Sequence, residues 1–241
     1  MKIQIKLICI ALLVIMSSCS TLLKGYIRLD PQKDELLATQ QIKDFMKINN
    51  NPSIVLRVPS SEAQSKQADL NDYVYNGIEK ELTLAGFKVK DRELSNEAMD
   101  KSSGKDQQNK KLIGIDLILE VVRIENNKKY STNTVYRKNG KEKILHDYYS
   151  IAKFGALVEL KIVIVKNNEY GGSFSFNYTP CPPENTNCNC IVAFKDVPDR
   201  VYPTISFCNK KSYTVFDNVD KSTVEELARN GVKKMMEEIR K

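Results

Sequence analysis

Two ten-residue runs constrain this chain more than anything else in it. Residues 115–124 (IDLILEVVRI) and 156–165 (ALVELKIVIV) are apolar and rich in β-branched side chains, the pattern of strands lying inside a sheet. Such a sheet needs helices to cover it. Leu70, Val74, Ile78, Leu82 and Ala85 recur at helical spacing, with Asn71 as the candidate cap and Gly86 just past the end. Near the carboxyl terminus Val224, Leu227, Ala228, Val232, Met235 and Ile239 share one helical face, behind the capping box Ser222-Thr223-Val224-Glu225. Ile54-Val55-Leu56-Arg57-Val58, ended by Pro59, reads as a strand covered on both faces, and Phe87-Lys88-Val89-Lys90 alternates as another. The fold class is therefore α/β, a mixed β-sheet packed by helices.

Turn residues divide the rest. Asn49-Asn50-Asn51-Pro52 separates a lead-in, residues 19–51, from a single folded domain over residues 52–241. Residues 92–99 suit a short helix, and 100–110 are polar. Asn139-Gly140, flanked by strand formers, predicts an extended hairpin with a type I′ turn. A second turn at Asn167-Asn168-Glu169 leads to Phe174, Phe176 and Tyr178 on one strand face. Residues 179–215, rich in Pro and Asn, form a cysteine-bearing loop insert.

The amino terminus has its own logic. Lys2 and Lys6 precede an apolar run at 7–16, half the roughly 20 residues needed to span a bilayer as a helix. A small-residue site follows, as in a signal peptide covering residues 1–18. Ile15-Met16-Ser17-Ser18-Cys19 resembles the lipobox of bacterial lipoproteins, with Met16 where Leu is usual. The resemblance implies cleavage before Cys19 and acylation (palmitate and diacylglyceryl chains) of that cysteine, which anchors a protein stably when two or more chains are present. Ser20-Thr21-Leu22-Leu23-Lys24 contains no acid, which by the same resemblance implies the periplasmic face of the outer membrane in a diderm host. Two of the 37 basic residues lie in the first 18, leaving 35 against 30 acids and a mature net charge of +5. This mild excess, in scattered lysine clusters and without a stacking platform, argues against nucleic acid. Attraction to anionic lipid headgroups is a weaker reading of those clusters.

Four cysteines remain, Cys181, Cys188, Cys190 and Cys208. Outside the cytoplasm they read first as disulfides. Cys188 and Cys190 are too close in sequence to bond readily, which leaves 181 with 188 and 190 with 208, or 181 with 190 and 188 with 208. Free thiols come second. The spacing lacks zinc-knuckle pairs, so no metal is expected. His146, the sole histidine, has no evident partner for base catalysis, and no acid or glycine pattern forms a catalytic motif. The expectation is a non-enzyme without a cofactor.

The order of Pro52-Ser53-Ile54-Val55-Leu56-Arg57-Val58, the helix ending Leu84-Ala85-Gly86, Phe87-Lys88-Val89-Lys90-Asp91-Arg92-Glu93, and Gly114-Ile115-Asp116-Leu117-Ile118-Leu119-Glu120 resembles the curli-secretion lipoprotein (CsgG-like) superfamily. The likeness covers residues 52–178 and 222–241. It implies a CsgG-like periplasmic domain that works through contacts with envelope proteins or with itself, in envelope assembly or secretion. Tyr136, Asn139, Gly140 and His146 are the candidate contact residues. Channel-forming members resemble one another in giving amphipathic hairpins to a shared barrel. Here Tyr130, Thr132, Thr134 and Tyr136 alternate with Ser131, Asn133, Val135 and Arg137, so neither face is continuously apolar as a spanning strand requires. An oligomeric outer-membrane secretion channel is the alternative.

Overall fold

The computed structural model describes residues 23–58, 66–92, 114–146, 149–183, 190–197, 200–204 and 219–241. In chain order these form β1 (Leu23–Tyr26), β2 (Glu35–Ala38), α1 (Gln40–Ile48), β3 (Ser53–Arg57), α2 (Lys66–Leu84), β4 (Lys88–Lys90) and β5 (Leu117–Thr132). There follow β6 (Thr134–Arg137), β7 (Glu142–Ile144), β8 (Ile151–Ile164), β9 (Glu169–Tyr178), β10 (Ile191–Val197), β11 (Arg200–Thr204) and α3 (Lys221–Ile239). The fold is mixed α/β, with two sheets and, among the described residues, three helices. It divides into two compact units.

One unit comprises Pro31–Tyr130, Lys153–Pro180 and Val215–Lys241. Its six strands run in the order β2-β9-β8-β5-β3-β4. The two long apolar runs are interior strands, as their composition requires. β3 lies parallel to both β4 and β5, and β9 lies antiparallel to β8 and β2. A parallel β3–β4 neighbour pair needs a crossover, and α2 supplies it.

Ile54, Leu56, Leu117, Leu119, Val158, Leu160, Phe174 and Phe176 share one apolar core with Ile42 and Met46 of α1, Val74, Ile78 and Leu82 of α2, and Val224, Ala228, Val232 and Ile239 of α3. Met235, expected on that face, and Met236 beside it fill the same core. On β3 the expectation of burial on both faces holds, since Val55 is as buried as Ile54. On β5 and β8 the second face is less covered: Ile118, Glu120, Glu159 and Lys161 alternate with the core residues and are half-buried, with Lys161 Nζ 3.5 Å from Glu120.

Helix ends show where local signals mislead. The end of α2 follows expectation: Gly86 has φ +90°, its N–H donates to Thr83 O, and Phe87 N–H donates to Leu82 O, the paired bonds of a Schellman cap. Its start does not, because α2 already includes Lys66 and Asn71 is buried within it. At α3 the cap is Asp220 and not Ser222. The Asp220 carboxylate accepts from Thr223 N at 2.9 Å and from both neighbouring hydroxyls. A carboxylate at this position also meets the positive end of the helix dipole.

Between α2 and α3, Glu81 is buried and pairs with Arg229, Nε to Oε1 at 2.8 Å, with Lys233 at 3.8 Å. Gly77 lets the helices approach, since a Cβ there would lie 3.0 Å from Glu225 Cγ.

The second unit comprises Met1–Asp30, Ser131–Ala152 and Cys181–Thr214. Its sheet runs β11-β10-β1-β6-β7, with every neighbouring pair antiparallel. This corrects the expected boundaries in two places. Residues 23–51 are not a lead-in, since β1 is the central strand of this sheet while β2 and α1 join the other unit. The insert is not a bare loop either: β10 lies in the sheet with Val192, Ala193 and Phe194 buried. Residues 184–189, 198–199 and 205–215 of the expected insert lie outside the described residues. So do the short helix expected at 92–99 and the polar stretch 100–110, apart from Arg92.

Candidate functional site

The sequence LKGYIRL at 23–29 alternates, and so does its burial. Gly25, Ile27 and Leu29 are buried, while Tyr26 and Arg28 share the opposite, half-buried side. Gly25 is required by closeness, because a Cβ there would lie 2.6 Å from Tyr136 O and 2.7 Å from the Phe194 ring. β1 is therefore drawn tight against β6, with Gly25 opposite Arg137 and Tyr26 opposite Tyr136.

That register stacks two aromatic rings and a cation. The Tyr26 and Tyr136 centroids are 6.1 Å apart with planes inclined 22°. Arg28 Cζ lies 5.0 Å from the first centroid and 4.5 Å from the second, and an Arg28 Nη donates to the Tyr26 hydroxyl at 3.0 Å. Cation–ring contacts of this kind contribute about 0.5–2 kcal/mol, more as water is excluded. Tyr136 was among the residues singled out by sequence. Tyr26 and Arg28 were not, though their period-two alternation is a strand signal.

The hairpin forms where Asn139-Gly140 predicts it, with a different turn. β6 and β7 pair from Thr134 opposite Ile144 to Tyr136 opposite Glu142. Arg137 N–H donates to Lys141 O at 2.9 Å and Gly140 N–H to Arg137 O at 2.8 Å, enclosing a three-residue loop. Gly140 has φ +79°, and Asn139 is not left-handed. A type I′ turn needs positive φ at both, so this is the three-residue hairpin closed by a left-handed glycine. Asn139 instead accepts Lys141 N–H at 3.1 Å through its side-chain oxygen. His146 stands away from the tip, edge-on to Tyr149 at 6.4 Å, with its carbonyl accepting Tyr149 N–H.

Cys181 and Cys190 are disulfide-bonded, their Cα atoms 5.5 Å apart, which selects the second of the two expected pairings at this bond. Cys188 and Cys208, and the lipidation candidate Cys19, lie outside the described residues. The bond is buried, and the carbonyls of Cys190 and Cys181 accept the N–H groups of Ile27 and Leu29, both at 2.9 Å. The segment leaving β1 is thus laced to the bonded loop.

Chemically, this face offers planar stacking and hydrogen bonds. Among the described residues no group of three His, Cys, Asp or Glu side chains could hold a metal, and no helix is long and apolar enough to cross a membrane. In the other unit, burial and the Asp220 charge push the phenols of Tyr73 and Tyr178 above the usual tyrosine value, with Glu225 adding to the first.

No family model matches the sequence. No curated protein matches it. Among solved structures the chain is similar to a PelC dodecamer from Paraburkholderia phytofirmans, at 9% identity over 91% of this chain and 97% of that one, with a TM-score of 0.30. It is also similar to a PDZ domain protein from Parabacteroides distasonis, at 15% identity over 75% of this chain and 41% of that one, with a TM-score of 0.30. Likenesses at that score carry no argument about this chain.

Proposed function

We propose that this chain is a non-enzymatic lipoprotein of a bacterial envelope, a divergent CsgG-like protein held to the membrane through acylated Cys19 and acting through protein contacts in envelope assembly or secretion. The carrying observation is the stack of Arg28 on Tyr26 and Tyr136. Tyr and Arg are, with Trp, the residue types most enriched at interface hot spots, and Tyr brings large contact area with only two side-chain torsions to freeze. Here cross-strand pairing has already ordered them, so a partner would meet a surface with little entropy left to lose. The Cys181–Cys190 bond and the lacing of Ile27 and Leu29 support the same face from behind. The crossover order β3-α2-β4 and the parallel β3–β5 pair are compatible with the resemblance read from residues 52–120.

A second reading, the oligomeric outer-membrane channel, draws on the length of β5 and β8, 16 and 14 residues, where about 9–11 suffice to cross a bilayer. Against it, residues 125–131 of β5 place Glu125, Asn126, Asn127, Lys128 and Lys129 on both faces.

A photo-crosslinker at Tyr136 in the native envelope tests the first reading. It predicts one discrete crosslinked species, with an envelope protein or a second copy, that weakens in Arg28→Ala. A ring of many copies with heat-modifiable migration in detergent would favour the channel instead.

A further inference from the structure

The tip of the β6–β7 hairpin is strongly basic. Between residues 137 and 143 stand Arg137, Lys138, Lys141 and Lys143 against one acid, Glu142, and Lys138 and Lys141 are exposed at the tip itself. Strand register fixes which end of the sheet this tip occupies. β1 and β6 run antiparallel with Gly25 opposite Arg137, so moving back along β1 toward residue 23 is moving forward along β6 toward the 138–140 loop. The start of β1 and the tip therefore share one end of the five-stranded sheet. Cys19 precedes Leu23 by four residues, and four fully extended residues span at most about 14 Å.

We propose that this hairpin tip is a second membrane contact, in which Lys138 and Lys141 engage anionic phospholipid headgroups beside the acyl anchor. Its placement rests on the lipidated-Cys19 reading, and its occupant on charge. An anchor with so short a reach keeps the tip within one or two screening lengths of the headgroups, the Debye length being about 8 Å at physiological ionic strength. Each basic residue held at an anionic surface raises partitioning about fivefold. Lys24 of β1 stands at the same end of the sheet.

The test uses residues 20–241, exported behind a signal peptide that adds no lipid. This chain retains every described strand and helix. It is sedimented with vesicles of phosphatidylcholine containing phosphatidylglycerol, and with pure phosphatidylcholine. The proposal expects binding only to the first, weakened by salt, and an about twentyfold lower partition for Lys138→Gln with Lys141→Gln. Lys88→Gln with Lys90→Gln, removing the same charge from β4, should bind like the wild type. Equal losses from both pairs would reduce the contact to overall charge, and partitioning indifferent to phosphatidylglycerol would hand the tip to an acidic protein surface. Either result overturns the proposal. Acylation of Cys19, read from the mass of the amino-terminal peptide of the full-length protein, is measured separately, so a missing anchor and a missing charge contact are told apart.

Discussion

Cys181 is bonded to Cys190 across a loop of eight intervening residues, and the two carbonyls of this pair hold the backbone of Leu29 and Ile27. The bond thus acts on the strand that centres the five-stranded sheet, well beyond the loop that it closes. By chain entropy alone a loop of this length contributes about 2–3 kcal/mol. Cys181→Ser with Cys190→Ser should lower the unfolding free energy measured in urea by that much and loosen residues 23–29. Hydrogen exchange should show the loss first at the Ile27 and Leu29 amides. Unchanged protection there would separate the disulfide from β1.

Helix α3 meets the sheet through Gly231, where a Cβ would fall 2.5–2.9 Å from the Phe176 ring. Phe176 is fully buried in β9. Gly231→Ala therefore overpacks the core and should cost about 1–3 kcal/mol, although alanine is the better helix former by about 1 kcal/mol. Equilibrium unfolding in urea measures the sign. A more stable variant would mean that α3 does not sit this close.

Asp220 links stability to acid and tyrosine titration to the same cap. Hydrogen bonds from Ser222 and Thr223 hold its carboxyl below the ordinary aspartate value. Its contribution is fully present above that ordinary range and is lost as pH falls through the lowered value. Asp220→Asn should keep the cap near neutral pH and flatten this acid limb, whereas Asp220→Ala should cost about 1 kcal/mol at neutral pH. The raised phenols of Tyr73 and Tyr178 work at the other end, favouring the fold below pH 10.0 and losing that contribution as pH rises through their own values. Removing the Asp220 charge should bring both down without restoring them fully, because burial is the larger cause. Ultraviolet titration of the tyrosines reads this directly, and unmoved phenols would contradict the placement.

Arg28 tests whether stacking or charge makes the candidate face. A lysine keeps the charge and loses the planar group that lies over two rings. Arg28→Lys and Arg28→Ala should therefore weaken the Tyr136 crosslink alike, each by about fivefold or more for a loss of ~1 kcal/mol of ring contact. Restoration by lysine would instead make the face a charge site.

The interior strands were legible because burial forces their composition: residues 115–124 and 156–165 could not be left in water. What composition left ambiguous was cover on the second face, since Ile118, Val122 and Val163 are apolar yet half-buried or exposed. β1 escaped notice for a different reason. It has four residues, including Lys24 and Gly25, and owes its strand conformation to partners at 136–137 and 191–194, far along the chain. The stack on it was hidden for the same cause, since no local pattern says that Tyr26 will face Tyr136. At α3 Asp220, Ser222 and Thr223 compete to cap. The aspartate wins because it alone accepts from both following hydroxyls and a backbone N–H while answering the helix dipole.

Attachment through Cys19 is read most directly from the mass of the amino-terminal peptide of the protein taken from its native membrane fraction. The expected result is a chain that begins at Cys19 and carries acyl chains there. An unmodified cysteine, or a mature chain that begins at another residue, would contradict it.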